Sequence, residues 1–321
     1  MTEVDSQRRG RAGVITLNRP ELLNALTFSM VRAIHAALTA HAADALVEVI
    51  VIRSSTPKAF CAGGDMRIIA ELSRAGRFAE AEAEFREEYA LNLAIAACPK
   101  PYVALLDGIA MGGGLGLSVH GRHRVVTEHA LLAMPETALG FIPDVGASYF
   151  FNQMPLDLGM WLALTGARLE AAGALASGLA TQMTRHDRLP SLLAALQDAR
   201  AGSIEEVLRS YAEPLDTSAA AEALRRQSAG FDAETLAAAY EAWRAQAAEQ
   251  SIAAHSPASV AWTFELLRAA RGLSLAQALE LELAAAKRAI RHPDFLEGVR
   301  AVLIDKDHRP RWHEAFDPVP V

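Results

Sequence analysis

The sequence predicts an α/β protein whose last third is helical. Short apolar runs alternate with helical patterns through the first two hundred residues. Strands alternating with helices imply βαβ crossovers and a largely parallel, buried sheet. From about Glu205 the character changes to Ala-rich helix without a convincing strand. The chain has 321 residues, 51% of them hydrophobic and 21% charged. That is ample for one large core, or for a domain with an appended subdomain.

Residues 14–17 (Val-Ile-Thr-Leu) read as the first strand, and residues 24–41 as a helix with Met30, Ile34 and Leu38 on one face. Residues 47–52 form a second strand, followed by a loop of glycine and small residues. A charged helix at 77–97 leads to an apolar strand at 102–106, another glycine loop and another helix. Strands at 124–127 and 131–134 continue the series. Further on, Ser256-Pro257 combines an N-cap with an N1 proline, and Gly272 suits the C′ position closing that helix. Ser274 with Gln277 makes a capping box, and the helix it opens ends before His292-Pro293. The expected division is an α/β core over 1–200 and a helical region over 201–321 packed on it.

Composition narrows the function classes. A net charge of −7 and a pI near 5.8 give no electrostatic case for nucleic acid or an anionic membrane. The polar N-terminus leads straight into an apolar strand, with no secretory h-region after Arg8-Arg9. No apolar run approaches the roughly 20 residues a bilayer span needs. Cys61 and Cys98 are expected as free thiols in a reducing compartment. The reading is a soluble, cytoplasmic protein.

Three segments carry candidate chemistry. Phe60-Cys61-Ala62-Gly63-Gly64-Asp65-Met66 and Asp107-Gly108-Ile109-Ala110-Met111-Gly112-Gly113-Gly114-Leu115-Gly116 each follow a strand. Neither is a phosphate loop: Leu117 stands where G-x-G-x-x-G ends, and no Gly-Lys-Ser/Thr occurs. Gly116-Leu117-Ser118-Val119-His120 falls one glycine short of a nucleophile elbow. No H-E-x-x-H or paired C-x-x-C occurs, so no metal site is expected. Glycine runs expose backbone N–H groups, and two such groups aimed at one point make an oxyanion hole. Taken singly, either loop is more simply a tight turn that permits close packing. The third segment, Met134 to Gly146, sets Glu136 and Asp144 among apolar and turn residues. Burial disfavours a carboxylate's charged form and tunes it toward acid–base work near neutral pH. Capping by Asp144 and an ion pair for Glu136 are the structural alternatives.

Together, in this order, these segments resemble the enoyl-CoA hydratase/isomerase, or crotonase, superfamily. The likeness runs from about Gly13 through Thr184 and includes Asn18-Arg19-Pro20 and Asn24-Ala25-Leu26. It implies a crotonase-type ββα spiral core and a CoA thioester substrate. The N–H groups of Gly64 and Gly113 would form the oxyanion hole, with Ala25, Ala62 and Asp65 near the CoA moiety. The phosphates of CoA would then need a local basic patch or backbone amides. Hydratases of this family carry one catalytic glutamate two residues after the glycine triplet, where this chain has Gly116. They tend to have glycine where it has Asp144. Glu136 with Asp144, Phe85-Arg86-Glu87-Glu88-Tyr89, and the stretch from Glu297 to Asp307 resemble instead the 3-hydroxyisobutyryl-CoA hydrolase branch. That likeness implies hydrolysis of a short branched 3-hydroxyacyl-CoA, as in valine catabolism, through Glu136 and Asp144. Glu136 would attack the carbonyl or deprotonate water. Glu88 would face the acyl hydroxyl. The resemblance implies no metal or redox cofactor, CoA being part of the substrate, and assembly into trimers or hexamers. Two departures are Ala147-Ser148, where relatives commonly have a further glycine, and a poor match over residues 189–250. His120 and His123 are read as packing or capping residues, Cys61 as small packing, and Trp161, Trp243, Trp262 and Trp312 as core or interface anchors.

Overall fold

The computed structural model describes residues 2–246 and 253–313. Ten strands are described: β1 (Val4–Arg9), β2 (Ala12–Leu17), β3 (Val49–Ser54), β4 (Ala59–Cys61), β5 (Tyr102–Leu106), β6 (Ile109–Met111), β7 (His123–Val126), β8 (Leu131–Ala133), β9 (Leu169–Glu170) and β10 (Gln182–Met183). Two compact units divide the chain. One comprises residues up to Gly64, Ala90–Leu132 and Arg168–Ala221; the other takes Asp65–Tyr89, Ala133–Ala167 and the residues from Glu222 on. The expected division at residue 200 follows secondary structure, whereas the compact units are interleaved in sequence.

The first unit holds a six-stranded sheet in the order β1-β2-β3-β5-β7-β10. Pairing is parallel except for β1 with β2. Parallel strands covered on both faces read as continuous apolar runs, and Val49-Ile50-Val51-Ile52 is wholly buried. Val14, Val51, Val103 and Val125 pack with Leu192, Leu193 and Leu196 of the helix Leu189–Asp198 and with Ile204 and Leu208. The first part of the stretch read as a poor family match thus covers this sheet. A smaller sheet, β4-β6-β8-β9, carries the glycine loops.

Two expectations shift. The helix expected at 24–41 is Phe28–Ala43, because the Thr27 side chain accepts from the Met30 amide at 3.2 Å and caps it there. Asn24 instead sits at φ +55 and is fully buried. Gly272, at φ +75, lies two residues past the C-cap Ala270, one later than a C′ position. The capping box of Ser274 and Gln277 opens the helix Leu275–Ala289 as expected.

In the second unit the helix Pro293–Val299 lies hard against the Glu136–Leu139 turn. A Cβ on Gly298 would stand 2.3 Å from the Leu139 carbonyl carbon, and one on Gly140 2.3 Å from the Asp294 oxygen. Phe141 stacks on Phe85 at 5.5 Å and meets Phe295 at 5.8 Å. Two glycines and three aromatic rings therefore fix this turn, and the glycine of Glu297-Gly298-Val299 gains a packing reason.

Candidate active site

The candidate oxyanion loops lie in the first unit. Asn24 organises the approach to them. Its Nδ2 donates to Ser54 Oγ at 2.8 Å and to the carbonyls of Phe60 and Ala59 at 3.0 and 3.3 Å; its Oδ1 accepts the Arg19 amide at 2.8 Å. This ties the Asn24-Ala25-Leu26 turn to β4. The Ala62 amide then donates to the Leu23 carbonyl at 3.0 Å, and the Leu26 amide to Gly63 at 2.8 Å. Leu26 and Gly64 form a parallel bridge. In that pattern Leu26 bonds the residues flanking Gly64, so the Gly64 amide points the other way. Gly63, at φ +101, comes so close to the second loop that a Cβ would stand 3.6 Å from the Gly113 nitrogen. Gly113 opens the short helix Gly113–Gly116, where a first-turn amide has no intrahelical acceptor. A Cβ on Gly114 would stand 2.3 Å from the Cys61 oxygen, so the close loop approach requires glycine there. Ala25, Ala62 and Gly64 are half-buried together on this surface.

The carboxylates lie in the second unit, and the structure brings Glu88, Glu136 and Asp144 together. Glu136 and Asp144 are 7% and 6% exposed. Burial, then the Asp144 charge, pushes Glu136 well above the usual carboxylate range. The same two causes, followed by Glu84, raise Glu88 to about 8. Burial raises Asp144 to about 7, opposed by the Tyr89 hydroxyl, which donates to Asp144 Oδ2 at 2.8 Å. Among the described residues, three buried side-chain polar atoms have no hydrogen-bond partner, and two of them are Glu88 Oε1 and Glu136 Oε2. An unpaired buried acceptor typically costs about 1–3 kcal/mol, so two in one cluster set this group apart from ordinary core polar residues. Carboxyl groups that raise one another's pKa hold acid and base forms side by side near neutral pH.

The supports of this cluster are precise. Thr137 donates to the Leu164 carbonyl at 3.1 Å and meets His255 Nδ1 at 2.7 Å; burial lowers His255 to about 4, so it stays neutral. After Asp144 the backbone turns through Val145 at φ +52 and Gly146 at φ +89. The departure at Ala147-Ser148 is accounted for: Ser148 donates its hydroxyl to Glu282. Two residues went unassigned in the sequence reading. Tyr89 had only its place beside Glu88, while Glu282 had a usable signal, an acid within the stripe Leu279, Glu282, Ala286 and Ala289.

The remaining candidates settle plainly. Asp65 is buried with its carboxylate on Arg67, at 3.0 and 3.3 Å. Ser118 donates to the Gly114 and Leu115 carbonyls, so no Ser–His pair forms through its hydroxyl. Cys61 is buried, its Sγ accepts the Gly63 amide at 3.5 Å, and no disulfide joins it to Cys98. Trp243 and Trp262 are buried anchors, while Trp161 and Trp312 are half-buried. In the first unit Asp107, His129 and His186 place potential ligand atoms within 4.8 Å of one another. The Asp107 carboxylate is met there by Thr127 at 2.6 Å and by the two Nδ1 atoms at 3.2 and 2.7 Å, so hydrogen bonding explains the group. No described helix is long and apolar enough to cross a membrane.

Known proteins resemble this chain over nearly its whole length. The sequence profile described as Enoyl-CoA hydratase/isomerase matches residues 12–317. The 3-hydroxyisobutyryl-CoA hydrolase, mitochondrial, of Danio rerio is 42% identical over 97% of this chain and 85% of its own length. Its Homo sapiens counterpart is 42% identical over 98% and 84%. The word mitochondrial belongs to those proteins, and the expected cytoplasmic location finds no support in them. A solved carnitinyl-CoA dehydratase from Mycobacterium thermoresistibile matches with a TM-score of 0.89 at 35% identity, covering 97% of this chain and 92% of that one. An enoyl-CoA hydratase from Rhodobacter sphaeroides 2.4.1 matches at 0.80 and 39%, covering 99% and 95%. By profile, sequence and architecture, the chain belongs to the enoyl-CoA hydratase/isomerase, or crotonase, family.

Proposed function

We propose that the protein hydrolyses a short branched 3-hydroxyacyl-CoA thioester, 3-hydroxyisobutyryl-CoA in the first instance, to the free acid and CoA. The observation that carries the reading is the carboxyl trio of buried Glu136, buried Asp144 and half-buried Glu88, whose Oε1 is itself buried, combined with Gly116 where a hydratase needs its other glutamate. The names of the relatives at 42% identity support the same substrate. In this reading the Gly64 and Gly113 amides receive the thioester oxygen as it gains charge. Loss of one such donor typically costs about 2.7–4 kcal/mol of barrier. Ionised Glu136 either attacks the carbonyl carbon, expelling CoA thiolate and leaving an anhydride that water then opens, or takes a proton from water that attacks directly. In both routes the carbon–sulfur bond breaks and the thiolate gains a proton. Asp144 orients the acyl hydroxyl or water, stabilises the developing charge, or supplies that proton, and Glu88 faces the acyl hydroxyl. Ala25, Ala62 and Asp65 belong to the CoA-proximal surface. The reading needs no metal or redox cofactor, follows the family in trimeric or hexameric assembly, and places the step in valine catabolism.

Free-thiol release from 3-hydroxyisobutyryl-CoA, with wild type beside Glu136→Gln, tests it. Fast release should collapse in the variant by about 10³-fold or more, as expected when an essential nucleophile or base is lost. A second reading, water addition or elimination, is favoured by the names of the two solved structures. It predicts that crotonyl-CoA loses its conjugated absorbance while no thiol appears, and that result would replace the hydrolase reading.

A further inference from the structure

One fully buried titratable group has no part in that reaction. Glu282 is 0% exposed, in the middle of the buried stripe of the helix Leu275–Ala289. Its Oε2 accepts the Gly146 amide at 2.7 Å, and its Oε1 accepts the Ser148 amide at 2.8 Å and hydroxyl at 2.5 Å. All three donors belong to the turn that leaves Asp144, which is closed by the Ala147 amide donating to the Asp144 carbonyl at 2.9 Å. Within that turn Val145 holds φ +52, a conformation that branched side chains rarely adopt. Such strain persists only where the surroundings over-determine it. A side-chain carboxyl group accepting three hydrogen bonds supplies that restraint. Packing alone does not explain an acid here, since an apolar residue would complete the stripe at lower desolvation cost.

We infer that Glu282 is a positioning residue for thioester hydrolysis: its carboxyl group clamps the Asp144–Ser148 turn, keeping Asp144 on the Tyr89 hydroxyl and beside Glu88 and Glu136. The inference rests on the hydrolase reading. Asp144 and Tyr89 are the ionisable groups that act on Glu282 or feel its charge; burial, opposed by the Ser148 and Gly146 hydrogen bonds and aided by the Asp144 charge, raises Glu282 to about 8.

Glu282→Gln in the full chain tests the clamp. The amide keeps one acceptor oxygen but turns an NH₂ group toward a backbone N–H. Thiol release should lose about 30-fold or more in kcat while KM stays within about threefold, the split expected when reacting groups rather than binding are misplaced. In an Asp144→Asn background the same change should cost less than about threefold, because groups acting as one unit are not additive. A folded Glu282→Gln with wild-type kcat, or one whose full loss recurs in the Asp144→Asn background, overturns the inference. Should circular dichroism show Glu282→Gln unfolded, Ser148→Ala decides. That variant removes one of the three donors, is expected to lower kcat about fivefold, and overturns the inference if kcat is unchanged. Wild type releasing no thiol is a different outcome, which sinks the hydrolase reading itself.

Discussion

The hydrogen bond from Tyr89 to Asp144 governs how readily the buried cluster carries negative charge. It is the largest influence lowering Asp144 against burial. Removing it in Tyr89→Phe should raise the Asp144 pKa and move the acidic limb of the pH–kcat profile to higher pH. With a hydrogen bond to a charged group worth about 1.5–3 kcal/mol, kcat should fall by about tenfold or more at pH 7, readable in the same thiol assay. At this scale legibility was uneven. Glu136 and Asp144 stood out as acids among apolar and turn residues, and Glu88 entered through the resemblance. The Glu282 contacts span 134 to 136 residues, a separation at which no local pattern pairs an acid with a serine.

Elements were legible where their caps are local. Ser274 and Gln277 lie three residues apart and act on each other, so their helix start was read correctly. Asn24 misled because its partners, Ser54, Ala59 and Phe60, lie 30 to 36 residues away, and they draw it out of the helix it seemed to begin. The seat of the Glu136 turn was equally hidden, since it depends on the approach of Pro293–Val299. Gly298→Ala should destabilise the fold by about 1–3 kcal/mol through overpacking, measured as a lowered urea midpoint. Gly140→Ala should cost at least as much, because the new Cβ meets the Asp294 carbonyl while the backbone stays at φ +67. Equal midpoints for both variants and wild type would remove the tight seat from the account.

At the scale of the whole molecule, the raised carboxyls link stability to pH. Glu88 and Glu282 lie at about 8 and Asp144 at about 7, all raised chiefly by burial. In the unfolded chain such groups titrate near 4. The folded protein therefore keeps protons that the unfolded chain has released, and stability falls as pH rises through the folded values. His255, lowered by burial, acts in the opposite sense but only below its unfolded value of 6.5. Between pH 6.5 and 8.5 the carboxyls should dominate, so calorimetry is expected to show Tm declining across that interval. The decline should be shallower in Glu282→Gln, and a flat or rising Tm in wild type would contradict the buried, proton-retaining cluster.

The interleaving of the two units sets an order on synthesis. The unit bearing the six-stranded sheet has its last segment by Ala221, whereas the unit bearing the carboxylates draws on residues from Glu222 onward. Emerging from a ribosome, the segments with Glu88, Glu136 and Asp144 must wait for the helices that carry Glu282 and Gly298. Until then their apolar surroundings are unfilled and their acids remain in water, ionised. The nascent chain thus has every segment of its large sheet by Ala221, whereas its proton-holding interior closes only after the residues from Glu222 onward have emerged.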